Sequence, residues 1–162
     1  MALWPIVQAL VILTLANTAP LLSKKVFGAL LSHPVDGGLT FFDKRPLLGS
    51  SKTVRGVVVS ILATTAGAPL VGVEPEVGAF MATAAMAGDL LASFVKRRLN
   101  LPPSSQALGL DQVPESLLPL LAGRQALALS GVDILLVLTA FVVGELIFAR
   151  LFYKLGLRDQ PY

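Results

Sequence analysis

The sequence predicts an all-α, polytopic integral membrane protein: one domain over residues 1–162, a helical bundle of about five transmembrane helices. Three observations predict it. Of 162 residues, 54% are hydrophobic and only 14% charged, with a mean hydropathy of +0.75, which is more apolar than a soluble domain of this size. The apolar residues gather in runs near membrane length, separated by polar loops. The basic residues fall almost entirely in alternate loops. Cysteine is absent, which excludes disulfides. The first basic residue is Lys24, so no cleaved signal peptide is expected.

The first span is expected from Leu3 to Leu22, with Trp4 as an interfacial anchor and Asn17 and Pro20 in its second half. Asn17 either bonds a neighbouring helix or lines a site. Lys24-Lys25 closes the span and leads into a short amphipathic piece ending near His33. That lone histidine reads as interfacial, and with no second histidine and no cysteine a zinc site is not expected.

Pro34 to Gly56 is the longest polar segment, PVDGGLTFFDKRPLLGSSKTVRG. Its glycines and serines let backbone N–H groups turn towards an anion, and Lys52 and Arg55 add positive charge. It is not a Walker A loop, because Gly49-x-x-Lys52-Thr53 lacks that spacing and precedes a membrane helix. The other reading is a positive-inside loop without a ligand.

The second span is expected at Val54–Val73 and the third at Val77–Val95, followed by a loop broken at Pro102-Pro103. The fourth run, Ser116–Leu129, is short and interrupted by Pro119 and Arg124, enough only for a marginal or tilted span. The fifth is Val132–Phe152, where Glu145 reads as a partner of Arg150 or Lys154. With five spans and the amino terminus outside, one side receives every basic residue except Arg124: Lys24, Lys25, Lys44, Arg45, Lys52, Arg55, Lys96, Arg97, Arg98, Arg150, Lys154 and Arg158.

Within the third span, Asp89, Ser93 and Lys96 fall on one stripe at i, i+4 and i+7, with Arg97 at its edge and Arg98 on the opposite side. Ala82, Ala85 and Gly88 continue the stripe upstream. A carboxylate in a span costs several kcal/mol and usually faces a wet or protein-lined interior, so Asp89 is a site candidate. Asp111 adds a second carboxylate on the same face of the membrane, with Asp36 and Asp43 in reserve. Carboxylates for a hard cation, Lys and Arg for phosphates and glycine for close approach form the set a Mg²⁺-nucleotide needs. At a membrane face the second substrate would be a lipid.

These residues carry a resemblance. Gly88-Asp89-x-x-x-Ser93-Phe94-x-Lys96-Arg97-Arg98, with Asp111-Gln112 beyond the next loop, resembles membrane-embedded CTP-dependent phosphatidate cytidylyltransferases. The nearer match is the CDP-archaeol synthase family. It adds Ala16-Asn17-x-x-Pro20, Pro34-x-Asp36-x-Gly38, Phe42-Asp43 and Gly49-x-x-Lys52-Thr53-x-Arg55-Gly56, covering nearly the whole chain. The chain departs from the family pattern at Asp43-Lys44, where Asp-Gly is common, and at Leu48-Gly49, where Phe-Gly is common.

The resemblance implies a multi-span α-helical fold with a polar cavity facing the cytoplasm, and transfer of CMP from CTP to a membrane lipid phosphate, releasing pyrophosphate with Mg²⁺ as cofactor. It implies catalytic roles for Asp89, Lys96, Arg97 and Asp111, with Asp89 and Asp111 holding the metal. Asn17, Asp36, Gly38, Gly49, Lys52, Thr53, Arg55 and Ser93 would bind the nucleotide. The expected partners are CTP, the lipid phosphate and the bilayer. A homo-oligomer is compatible with the sequence, and nothing points to nucleic acid. Two other readings stand beside it: a CTP-dependent lipid kinase resembling dolichol kinase, and a non-enzymatic transporter or structural membrane protein.

Overall fold

The computed structural model describes residues 3–154 and Gly156; Arg158, counted in the charge asymmetry, lies outside the described residues. Among the described residues the order is α1 (Leu3–Phe27), α2 (Val54–Gly67), a 3-10 turn (Ala68–Val71), α3 (Pro75–Arg98), α4 (Gln112–Ala122) and α5 (Gly131–Lys154), with no strand beyond two isolated β-bridges. The chain is an all-helical membrane protein.

α1 runs through Lys24 and Lys25 without the break expected after Leu22, as cations in a last turn favour the helix dipole. Thr53 caps α2, its Oγ1 accepting from Gly56 N at 3.2 Å. Pro69 removes one helical donor, and the end of that expected span tightens into the 3-10 turn.

Among the described residues, four helical stretches are long and apolar enough to cross a membrane: Leu3–Phe27, Val54–Val71, Pro75–Arg98 and Gly131–Leu151. The fourth apolar run is not a full span. α4 has 11 residues, about 16 Å of helix against about 30 Å of hydrocarbon. It begins before the expected Ser116, and it buries Gln112, Glu115 and Ser116 against the bundle. It still returns the chain along α3. Pro114 lies against Gly88, Gly123 against Met81, and Leu127 joins the cluster that holds Val73.

Two apolar clusters hold the bundle. Ile12, Leu13, Met81, Leu120, Val137 and Phe141 belong to one; Ala16, Ala82, Ala85 and Met86 form a smaller one nearer the site. The basic ends of α1 and α3, the start of α2 and the end of α5 gather at one end, where Lys25 Nζ donates to Gly156 O.

Candidate functional site

A cavity of about 880 Å³ opens between α1, α3, α4 and α5 and the 50–57 segment. Two lysine–carboxylate pairs stand in its wall. Lys52 comes from the turn before α2. Its Nζ lies 2.6 and 2.7 Å from the two carboxylate oxygens of Asp89 on α3. Lys96, two turns further along α3, donates to Asp111 Oδ1 at 2.6 Å and to Ser105 O at 2.9 Å. Asp111 is fixed in turn by Ala107 N, which donates to its Oδ2 at 2.9 Å. Lys96 is 6% exposed, so this charge is held by its partners rather than by water.

The helical stripe faces the cavity: Asp89, Ser93, Lys96 and Arg97 all line it, and Arg98 is outside it. Arg97 donates from Nη2 to Pro102 O at 2.9 Å, and among the described residues its buried Nε has no hydrogen-bond partner. Arg55 also lines the cavity, donating from Nη1 to the carbonyls of Gly28 and Leu30, and among the described residues its buried Nε is likewise without a partner. Thr53 and Asn17 complete the wall; Asn17 Nδ2 donates to Leu13 O at 3.1 Å. Lys52, Thr53 and Arg55 surround the amino terminus of α2, where the helix dipole favours an anion.

Asp36, Gly38 and Gly49 are not brought to the cavity wall. Asp36 is buried inside its loop, its Oδ1 accepting from Gly38 N at 3.0 Å and its Oδ2 from Leu48 N at 2.8 Å and Gly49 N at 3.1 Å. Burial pushes its carboxyl up, and the three backbone donors outweigh burial and hold it below the ordinary aspartate value. Gly38 is exposed on the surface. Gly49 adopts φ +101° and lets Arg97 approach, since a Cβ there would sit 3.1 Å from Arg97 Nη1. These three residues build the loop that presents Lys52.

Arg98, on the side of α3 opposite Asp89, has partners of its own. It donates to Asp43 Oδ1 at 2.7 Å and to the carbonyls of Arg45 and Pro46, and its guanidinium lies over Phe41 and Phe94. Asp43 is thereby a loop fastener.

Two cavity residues were missed in the sequence. Glu115 is buried on α4 within electrostatic reach of Glu145, Asp89, Lys52 and Asp111. It follows Asp111 by four residues on one helical face, a signal hidden because α4 was expected to start later. Glu145 also lines the cavity, from α5. Among the described residues no three His, Cys, Asp or Glu side chains form a group able to hold a metal by themselves. A divalent ion would need phosphate oxygens besides Asp89 and Asp111. That suits Mg²⁺, which takes one or two carboxylates and completes its octahedron with waters and substrate phosphates.

A family model described as CarS-like, CDP-archaeol synthase, matches residues 71–162. The CDP-archaeol synthase of Pyrobaculum calidifontis is 37% identical over 142 residues, covering 80% of this chain and 82% of that protein. The chain belongs to the CDP-archaeol synthase family. Its counterpart from Thermococcus kodakarensis is 35% identical over 161 residues, covering 91% and 89% of the two chains. A solved structure of an intramembrane enzyme for archaeal membrane lipids biosynthesis superposes with a TM-score of 0.71 at 29% identity, over 85% of this chain and 90% of that one. Membership makes the protein an enzyme, a cytidylyltransferase.

Proposed function

We propose that this enzyme transfers CMP from CTP to a membrane lipid phosphate carrying archaeol-type ether chains, giving a CDP-lipid and pyrophosphate. The supporting observation is the pair of lysine–aspartate contacts, Lys52–Asp89 and Lys96–Asp111, in one cavity at the basic end of the bundle. The relatives named above share the family and supply the lipid class. The basic end is the cytoplasmic one by the positive-inside rule, so the cavity opens to the compartment that holds CTP.

A lipid phosphate oxygen attacks the α-phosphorus, the new P–O bond forms, and the bond to the β-phosphate breaks with its electron pair leaving on pyrophosphate. The attacking phosphate is already ionised near neutral pH, so no general base is needed, in keeping with a site lacking histidine. The obstacle is repulsion between two anions. Lys52, Lys96 and Arg97 offset it, and the amino-terminal amides of α2 add partial positive charge. Asp89 and Asp111 would hold Mg²⁺, whose charge would neutralise the phosphates and stabilise the leaving pyrophosphate. As the nucleotide enters, Lys52 and Lys96 exchange carboxylate for phosphate oxygens.

The test is turnover by purified protein of CTP labelled at the α- or γ-phosphate, with a panel of ether- and ester-linked lipid phosphates. Label from the α-position should pass to lipid and label from the γ-position to pyrophosphate. Release of CDP with γ-label on lipid would establish a kinase instead.

A further inference from the structure

The segment between α1 and α2 carries a feature the proposed reaction does not use. Leu39 to Leu47 folds into a small hairpin, closed by Phe41 N donating to Arg45 O and Leu47 N to Leu39 O, both at 2.8 Å, and by the Thr40–Pro46 bridge. Its tip is Phe41-Phe42-Asp43-Lys44. Phe42 is 97% exposed, and Leu39 beside it is also exposed.

The hairpin's position decides what covers this apolar tip. It does not project beyond the end of α3. The Phe41 ring stands edge-on to Phe94 at 5.3 Å, and Arg98 covers both rings at 4.8 and 5.0 Å. Phe94 is a full turn before the end of α3, and Leu91, one turn deeper on the same side, is exposed. The tip therefore lies against the flank of a membrane-crossing helix, on the side away from the cavity.

We propose that this hairpin is a membrane anchor, with Phe42 inserted into the interfacial layer of the bilayer that α3 crosses and Lys44 reaching its anionic headgroups. Phe is among the residues that interfacial segments bury at the boundary between headgroups and acyl chains. A phenylalanine left in water would forgo the transfer free energy that burial supplies. Lys44 and Arg45 give the charge that attracts an anionic leaflet. The anchor is also mechanically joined to the site. Asp36 accepts from Leu48 and Gly49 at the hairpin's base, and Gly49 O accepts from Lys52 N. Contact with the bilayer thus fixes the lip from which Lys52 reaches Asp89. This inference rests on the fold alone and stands whichever lipid is the substrate.

Trp4 is the sole tryptophan, so a W4F/F42W double variant reports from the hairpin tip alone. It would be reconstituted in phosphatidylcholine–phosphatidylglycerol vesicles whose acyl chains carry bromine either near the headgroup or near the chain end. The expected result is loss of most indole emission with shallow bromines and little loss with deep ones, whatever the response to aqueous iodide. Emission insensitive to bromine and quenched by iodide would place the tip in water and overturn the proposal. Emission insensitive to both would mean that protein, such as a second copy of the chain, covers the tip, and would overturn it equally.

Discussion

Lys52 and Asp89, 37 residues apart, meet with the ammonium nitrogen bridging both carboxylate oxygens, and each side chain is about a quarter exposed. The pair ties the loop before α2 to the middle of the bundle. Its two members should fail differently. Asp89→Asn keeps the shape and removes the charge, and should lower turnover at least about 100-fold while the protein stays folded in detergent. Near-normal turnover of that variant at low Mg²⁺ would remove Asp89 from metal binding. Lys52→Ala should act first on CTP, raising its Kd about tenfold or more, about 1.4 kcal/mol, in a direct binding measurement.

Lys96, Arg97 and Arg98 are consecutive cations that serve topology alike and should differ in effect. Lys96→Ala and Arg97→Ala remove charge from the cavity, with an expected cost of about 2–4 kcal/mol in the barrier, or about 30- to 1000-fold in rate. Arg98→Ala releases Asp43 and the loop carbonyls instead. It should lower thermal stability by about 1–3 kcal/mol and lower turnover per folded molecule far less than Lys96→Ala or Arg97→Ala. Initial rates normalised to folded protein, with a melting curve for each variant, distinguish the two.

Gly88 is the contact point of α3 and α4. A Cβ there would come 2.2 Å from Pro114 O and 2.8 Å from Glu115 Cα. Gly88→Ala must push the helices apart, at an expected cost of about 1–3 kcal/mol or more, and should lower activity by displacing Asp111 and Glu115. Gly131→Ala, where a Cβ meets nothing within 4 Å, is the matched control. Equal melting temperatures for the two would show that α4 can shift freely.

Asp36 predicts a pH dependence of the loop. Its carboxyl is held below the ordinary value of 3.8 when folded, so the unfolded loop binds the proton more readily than the folded one. The stabilisation is present above the ordinary value and is lost as the pH falls through it to the folded value. Protease nicking within residues 34–53 should therefore accelerate from about pH 5 downwards. Asp36→Asn, which loses an acceptor towards one of the three amides, should nick faster at neutral pH and show a flatter profile.

The sequence showed the helices and the α3 stripe because both follow from periodicity: a charge in a span must face inwards, and its neighbours at i+4 and i+7 go with it. It misplaced what depends on long-range fit. Asp36 and Gly38 carry the same residue types as a phosphate loop, and only the fold shows that their bonds are spent on the loop itself. Arg98 lay outside the cavity as its helical angle required, but its partners come from a hairpin about fifty residues upstream. Glu115 was hidden because α4 starts within polar residues, Gln112 among them, that no hydropathy window would include.

The brevity of α4 bears on how the protein is made. A segment of 11 residues carrying Pro114, Glu115 and Pro119 has too little hydrophobicity to partition into lipid by itself. α5, the most apolar of the long helices, can enter unaided. α4 must reach its place as passenger between α3 and α5, settling only once Gly88 is there to receive Pro114. Both carboxylates that reach the cavity from this side, Asp111 and Glu115, arrive with it. The cavity wall is therefore complete only when α4 has docked against the long helices.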